Sequence, residues 1–182
     1  SSGSAGRAVC LQDKGDGTIC KNVKMLSYQD TYYSNNNGGK YYWEDSEIHG
    51  TVDFLCGGGD VYYNRCKFVV EKRSADGKGG CTIAAPYTDG SKWGYVMNEC
   101  VVDNYAETFN YGRAWGGTPR LAYLNTTLLQ PDMVIKDRFT VGGMNVPADK
   151  FVEFNTKDAQ GNVVSPASNV LKFTKDNKVN EM

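Results

Sequence analysis

Tyr42-Trp43-Glu44-Asp45-Ser46-Glu47-Ile48 and Tyr62-Tyr63-Asn64-Arg65-Cys66-Lys67-Phe68 share one pattern: an apolar pair, then polar residues, a small residue and an apolar one. Ile19–Met25, Val96–Val102 and Tyr123–Leu129 follow it more loosely. The fifth residue of each segment falls at 23, 46, 66, 100 and 127, so the spacings are 23, 20, 34 and 27. A short period that lengthens by irregular insertion suits a parallel β-helix, whose loops absorb insertions without disturbing the stack. The predicted fold is all-β: a right-handed, single-stranded parallel β-helix that lacks its N-terminal coils. Small residues stacked at one inward position account for Cys66 and Cys100 as packing. The ladder is expected to stop near Gln130. Residues 130–182, with Pro131, Pro147 and Pro166, are then an irregular tail on the outside of a single domain spanning 1–182.

Composition agrees with strands. Twelve Tyr, seven Phe and three Trp in 182 residues favour pleated surfaces, and helical periodicity is poor throughout. Twenty Lys and Arg against 21 Asp and Glu give a net charge of −1, without the basic stripe of a nucleic-acid binder. No apolar run is long enough to cross a membrane as a helix. The six cysteines have no ligand-like spacing, which argues against zinc and leaves most of them as free, buried thiols. With a single histidine, a Ser-His-Asp or Cys-His centre would have to be built on His49, which reads as exposed and idle. Asn125-Thr126-Thr127 is a glycosylation sequon, but it lies in the ladder and reads as structural. Trp93 and Tyr87 read as packing.

The chemical clue is an equal offset. Asp30 is seven residues after Val23, and Asp53 is seven after Ser46. In stacked coils equal offsets make vertical neighbours, about 4.8 Å apart. Two carboxylates that close repel, which raises the pKa of one and separates an acid from a base. Gln29 offers amide donors beside Asp30, and Tyr28, Tyr32, Tyr33 and Phe54 surround the pair. A calcium site of oxygen ligands and a glycosidase carboxylate pair remain open on these residues alone, as do two solvated loop acids.

At these residues the chain resembles the pectin methylesterase (pectinesterase) family. Tyr28-Gln29-Asp30-Thr31 matches its YQDT motif, Gly50-Thr51-Val52-Asp53-Phe54 its GTVDF motif, and Tyr111-Gly112-Arg113-Ala114-Trp115 its LGRPW motif. The motifs come in family order, and the likeness extends from about residue 5 to 130, then loosely through Phe151–Asn155. The resemblance implies a cofactor-free esterase acting on methylated galacturonosyl units of pectin, with Asp53 as nucleophile and Asp30 as general acid and then base. Gln29 would stabilise the oxyanion, Arg113 would hold Asp53 ionised, and Trp115 would carry a sugar ring. Tyr28, Phe54 and Arg7 are the remaining candidate substrate contacts.

The resemblance further implies a monomer that is secreted or periplasmic, its export signal outside this chain. A pectate lyase or polygalacturonase on the same scaffold, and a polysaccharide-binding β-helix without activity, are the competing classes. Three departures stand out. Arg7 holds the place of a Gln found 22 residues before Gln29, Cys56 replaces an aromatic of GTVDFIFG, and Ala114 replaces the Pro of LGRPW.

Overall fold

The computed structural model describes residues 6–89, 91–135, 137–140, 146, 148 and 150–164, and the backbone of Leu171 and Lys172. The chain winds in coils of three short strands. The first holds β1 (Leu11–Asp13), β2 (Thr18–Lys21) and β3 (Lys24–Leu26), and the second β4 (Tyr32–Ser34), β5 (Lys40–Glu44) and β6 (Glu47–Gly50). The third holds β7 (Val52–Gly57), β8 (Asp60–Asn64) and β9 (Lys67–Val70), and the fourth β10 (Gly80–Pro86), β11 (Tyr95–Asn98) and β12 (Val101–Asn104). The fifth holds β13 (Thr108–Arg113), β14 (Leu121–Leu124) and β15 (Thr127–Leu128). A sixth, β16 (Phe139–Thr140), β17 (Phe151–Phe154) and β18 (Lys157–Asp158), is followed by β19 (Leu171–Lys172).

Equivalent strands stack in parallel into three sheets, ordered β1-β4-β7-β10-β13-β16, β19-β17-β14-β11-β8-β5-β2 and β18-β15-β12-β9-β6-β3. This is the β-helix that the repeat implies. Side chains at matched positions pile into columns between the sheets. Met25, Ile48, Phe68, Val102 and Leu128 form one buried column. Trp43, Tyr63, Met97 and Tyr123 form another. Trp43 stacks on Tyr63 with centroids 6.4 Å apart, and Tyr111 on Tyr123 at 4.0 Å. Apolar burial at every coil supplies the main stabilisation, and every strand finds its hydrogen-bond partners in the coils beside it.

The bend between the second and third strand of each coil has one conformation. Asn22, Asp45, Arg65, Glu99, Asn125 and Asn155 occupy it with φ between 49° and 55°. That left-handed region costs an L residue about 1–2 kcal/mol unless its side chain is short and polar. Coil-to-coil bonds continue through the bend, from Asp45 N to Asn64 O at 3.2 Å and from Glu99 N to Leu124 O at 3.0 Å. An amide ladder runs beside it, Asn155 donating to Asn125, Asn125 to Asn98 and Asn98 to Asn64. The sequon asparagine is thus a rung of this ladder.

Two expectations from sequence require correction. The fifth repeat is Ala122–Leu128, one residue earlier than the pattern suggests: Ala122 pairs with Val96, and Thr127 with Val101, which places Thr126 beside Cys100. Tyr123 drew the alignment because it looks like the leading apolar residue, yet it is the inward one, fully buried. The ladder also does not stop at Gln130. Pro131–Met133 form a short 3-10 turn, after which β16, β17 and β18 pair with β13, β14 and β15. This coil was hidden because its strands are short and its inward column turns polar, with Glu153 buried and held by Arg138 at 3.0 Å. Pro147 and Pro166 lie outside the described residues. Among the described cysteines none forms a disulfide.

The corrected register is testable. Thr126 is 1% exposed and its hydroxyl has no partner, whereas Thr127 is half-buried on the outer side. Thr126→Leu should cost about 1–3 kcal/mol by overpacking. Thr127→Leu should stay within about 0.5 kcal/mol. Denaturant unfolding of the two variants measures the difference.

Candidate active site

Both aspartates of the equal-offset pair sit at the bend that leads from the third strand of one coil into the next. Each lies two residues before a paired position, Tyr32 and Leu55. Each has a left-handed backbone, φ 58° at Asp30 and 49° at Asp53. The Asp30 N–H donates to Val52 O at 3.2 Å, so the two bends are locked one above the other. Gly50 permits the tight approach, since a Cβ there would lie 2.1 Å from Phe54 Cβ.

The environments of the two carboxyls differ. Asp53 is 3% exposed and is gripped by Arg113. Nε donates at 2.8 Å to Oδ1 and at 3.0 Å to Oδ2, and Nη2 at 2.6 Å to Oδ2. Arg113 comes from β13, two coils along the same sheet, where Gly112 and Arg113 pair with β16. Those hydrogen bonds raise the guanidinium pKa, so the cation is fixed. Asp30 is half-buried and has a different partner, Arg7 Nε at 3.3 Å from Oδ2, on a side chain that is 76% exposed.

Burial first, and the charge of Asp53 second, raise the Asp30 pKa above the usual carboxylate value, against the opposing pull of Arg7, Arg113 and the Cys56 hydrogen bond. Arg113 is committed to one carboxyl, while its neighbour is pushed towards the acid form. Burial, then the charges of Asp30 and Asp53, push the Cys56 thiol far above its usual value, so it stays protonated as a donor.

The surroundings sort the other candidates. Gln29 precedes Asp30 and is half-buried, and its side-chain amide has no hydrogen-bond partner among the described residues. Tyr28 is 52% exposed beside it. Trp115 is half-buried, edge-on to Tyr33 at 6.1 Å and to Tyr87 at 5.8 Å. Tyr33 in turn lies within electrostatic reach of Asp30 and Arg7, which joins the aromatic group to the carboxyls.

Phe54 is corrected: it is fully buried in the core and cannot touch a ligand, because the left-handed bend at Asp53 turns the next side chain inward. His49 is also not idle. It is half-buried between two carboxylates, Nδ1 at 2.6 Å from Glu71 and Nε2 at 2.5 Å from Glu47. Tyr33 and Tyr87 belong to the site wall more fully than their local sequence suggested.

Comparison with known proteins gives one consistent result. The family model described as Pectinesterase matches residues 1–144. The chain is 32% identical over 122 residues to a putative pectinesterase of Arabidopsis thaliana, covering 66% of this chain and 33% of that protein. It is 28% identical over 151 residues to a pectinesterase of Sitophilus oryzae, covering 76% and 39%. Among solved structures, a pectin methylesterase from Erwinia chrysanthemi superimposes with a TM-score of 0.72 at 27% identity, over 92% of this chain and 55% of that one. A pectin methylesterase in complex with a hexasaccharide gives a TM-score of 0.72 at 26% identity, over 92% and 56%. The chain therefore spans 33–39% of the length of these curated relatives.

Removing one partner of a buried ion pair strands the other charge. Arg113→Ala should destabilise the fold by about 3–5 kcal/mol, and Asp53→Asn added to it should recover part of the loss. Urea unfolding of the single and double variants reads both.

Proposed function

The chain belongs to the pectinesterase family, and from that premise we propose that it removes methyl esters from galacturonosyl units of pectin. The observation that carries this reading is the asymmetric carboxylate pair: Asp53 clamped by Arg113, Asp30 raised beside it. A buried carboxylate whose two oxygens are held by a guanidinium is placed to act as a nucleophile, and a neighbour pushed towards its acid form is placed to act as a general acid.

In the proposed reaction an Asp53 oxygen attacks the C6 carbonyl of the methyl ester, and the carbonyl oxygen takes the negative charge. The free amide of Gln29 donates to that oxyanion. One such donor is worth about 10²–10³ in rate. Collapse breaks the C–O bond to methanol, which leaves with the Asp30 proton. An acyl-enzyme anhydride remains. Asp30, now a base, takes a proton from water, and the hydroxide attacks the acyl carbon. The acyl bond to Asp53 breaks, which regenerates the Asp53 carboxylate and frees the galacturonate carboxyl, whose proton passes to solvent; Asp30 already holds the proton taken from water and is again the acid. Trp115, braced by Tyr33 and Tyr87, offers a flat apolar face to a sugar ring. Pectin is extracellular, so export of the protein belongs to the same proposal.

Arg7 bears on a second reading, a polysaccharide-binding β-helix without turnover, because a cation on the acid opposes its protonation. Methanol release from highly methylated pectin, with Asp53→Asn as control, decides between them. Methanol from the parent and a loss of at least about 10³-fold in the variant is the expected outcome. Normal pectin binding with no methanol supports the second reading.

Removing the Arg7 cation should raise the Asp30 pKa further. Asp30 must be protonated to expel methanol, so the alkaline limb of kcat/KM should move to higher pH in Arg7→Gln, by up to about 1 unit given its exposure. An unmoved limb would show that Arg7 does not act on the acid.

A further inference from the structure

The fourth coil is the longest of the first four repeats, 34 residues between Cys66 and Cys100, and part of its extra length is the segment 71–79. Its first five residues, 71–75, line a cavity of about 920 Å³. Tyr28, Gln29, Val52, Lys72, Arg73 and Tyr105 line the same cavity. Gln29, the proposed oxyanion donor, lines the cavity, and Asp30 and Asp53 are the chain neighbours of Gln29 and Val52, though neither carboxylate lines it.

The charges facing this cavity are unevenly satisfied. Lys24 is paired with Glu47 at 2.8 Å, and Glu47 and Glu71 both hold His49. Lys72 and Arg73 have no carboxylate within ion-pair distance among the described residues. Arg73 donates only a long bond, 3.5 Å, to Gly80 O. The segment is nevertheless well tied. Asp76 accepts from Ser74 Oγ at 2.5 Å and from Lys78 N at 3.1 Å. Gly79 N donates to Glu107 at 3.1 Å, and Glu107 N to Gly77 O at 3.1 Å. Two uncompensated cations are thus presented by a braced loop. Tyr28 and Tyr105, 52% and 54% exposed, add two ring faces.

We propose that Lys72 and Arg73 form a subsite for the ionised carboxylate of a galacturonate unit neighbouring the one whose ester is cleaved. The proposal rests on the esterase reading of the adjacent site. A guanidinium and an ammonium recognise a carboxylate through charge-assisted hydrogen bonds, and the tyrosine faces suit the apolar side of a pyranose. A methyl ester at the same place carries no charge and leaves both cations unpaired. The subsite therefore favours a chain already demethylated beside the next ester, and it directs attack along contiguous units.

The test is the double variant Lys72→Ala/Arg73→Ala, whose changes lie outside the reacting residues. Methanol release is measured on highly methylated and on partly demethylated pectin. Binding of fully demethylated and fully methylated oligogalacturonates to Asp53→Asn, with and without the double change, is measured by calorimetry. KM on partly demethylated pectin should rise about tenfold with kcat unchanged, while KM on highly methylated pectin stays within about twofold. Affinity for the demethylated oligomer should fall by a similar factor and that for the methylated one should not. Equal effects on both substrates, or none, overturn the proposal. If the parent releases no methanol, the esterase reading fails. The binding comparison still decides the subsite: selective loss for the demethylated oligomer supports it, and unchanged affinity overturns it.

Discussion

The Asp30 N–H donates to the Val52 carbonyl one coil away, and this backbone bond fixes the problem that the rest of the site answers. It stacks the two bends one above the other, close enough for the charge of Asp53 to raise the Asp30 pKa. The fold does not relieve the repulsion by moving either group, because both sit on left-handed bends locked between paired strands. It divides the burden instead. Arg113 arrives from two coils along the same sheet and commits itself to Asp53, leaving Asp30 to carry the unfavourable proton balance. Burial of Asp30 and the grip of Arg113 on Asp53 together make the two stacked carboxyls unequal.

That arrangement was legible because a β-helix converts sequence offset into spatial adjacency. Asp30 and Asp53 share an offset of seven from Val23 and Ser46, and the stack placed them accordingly. Arg113 was not reachable by offset, since β10 intervenes between β7 and β13 in the sheet. Only the resemblance of Tyr111–Trp115 to a family motif pointed to it. Phe54 is different: it stands beside Asp53 in the chain, but the bend that turns the carboxyl to Arg113 buries the next ring in the core.

The misread repeat and the missed coil have a common cause. Apolar pairing is a weak guide to register when both faces of a strand carry aromatic residues. Tyr42 and Tyr62 stack on the outside while Trp43 and Tyr63 stack on the inside. A slip of one residue then exchanges similar rings and leaves the pattern looking intact. In the sixth coil the inward column holds the Arg138–Glu153 pair in place of a ring, so hydropathy gave no sign of it. The Asn side chains beside the bend were the better marker: Asn64, Asn98, Asn125 and Asn155 donate or accept along one line. Lys72 and Arg73 escaped notice because a basic loop reads as a solvated surface until its neighbours are known.

The unequal coil lengths have a consequence for how such a protein can change. Residues 71–79 begin and end at strands whose pairing is set by the coils above and below. The stack therefore works as a fixed frame, and the loop as an interchangeable panel hung on it. Panels of different length and charge can be exchanged without altering the frame's columns or the spacing of Asp30 and Asp53. The stacking of the two carboxylates and the charge of the wall beside them can then vary independently, so a lineage can retune the one while the other stays unchanged.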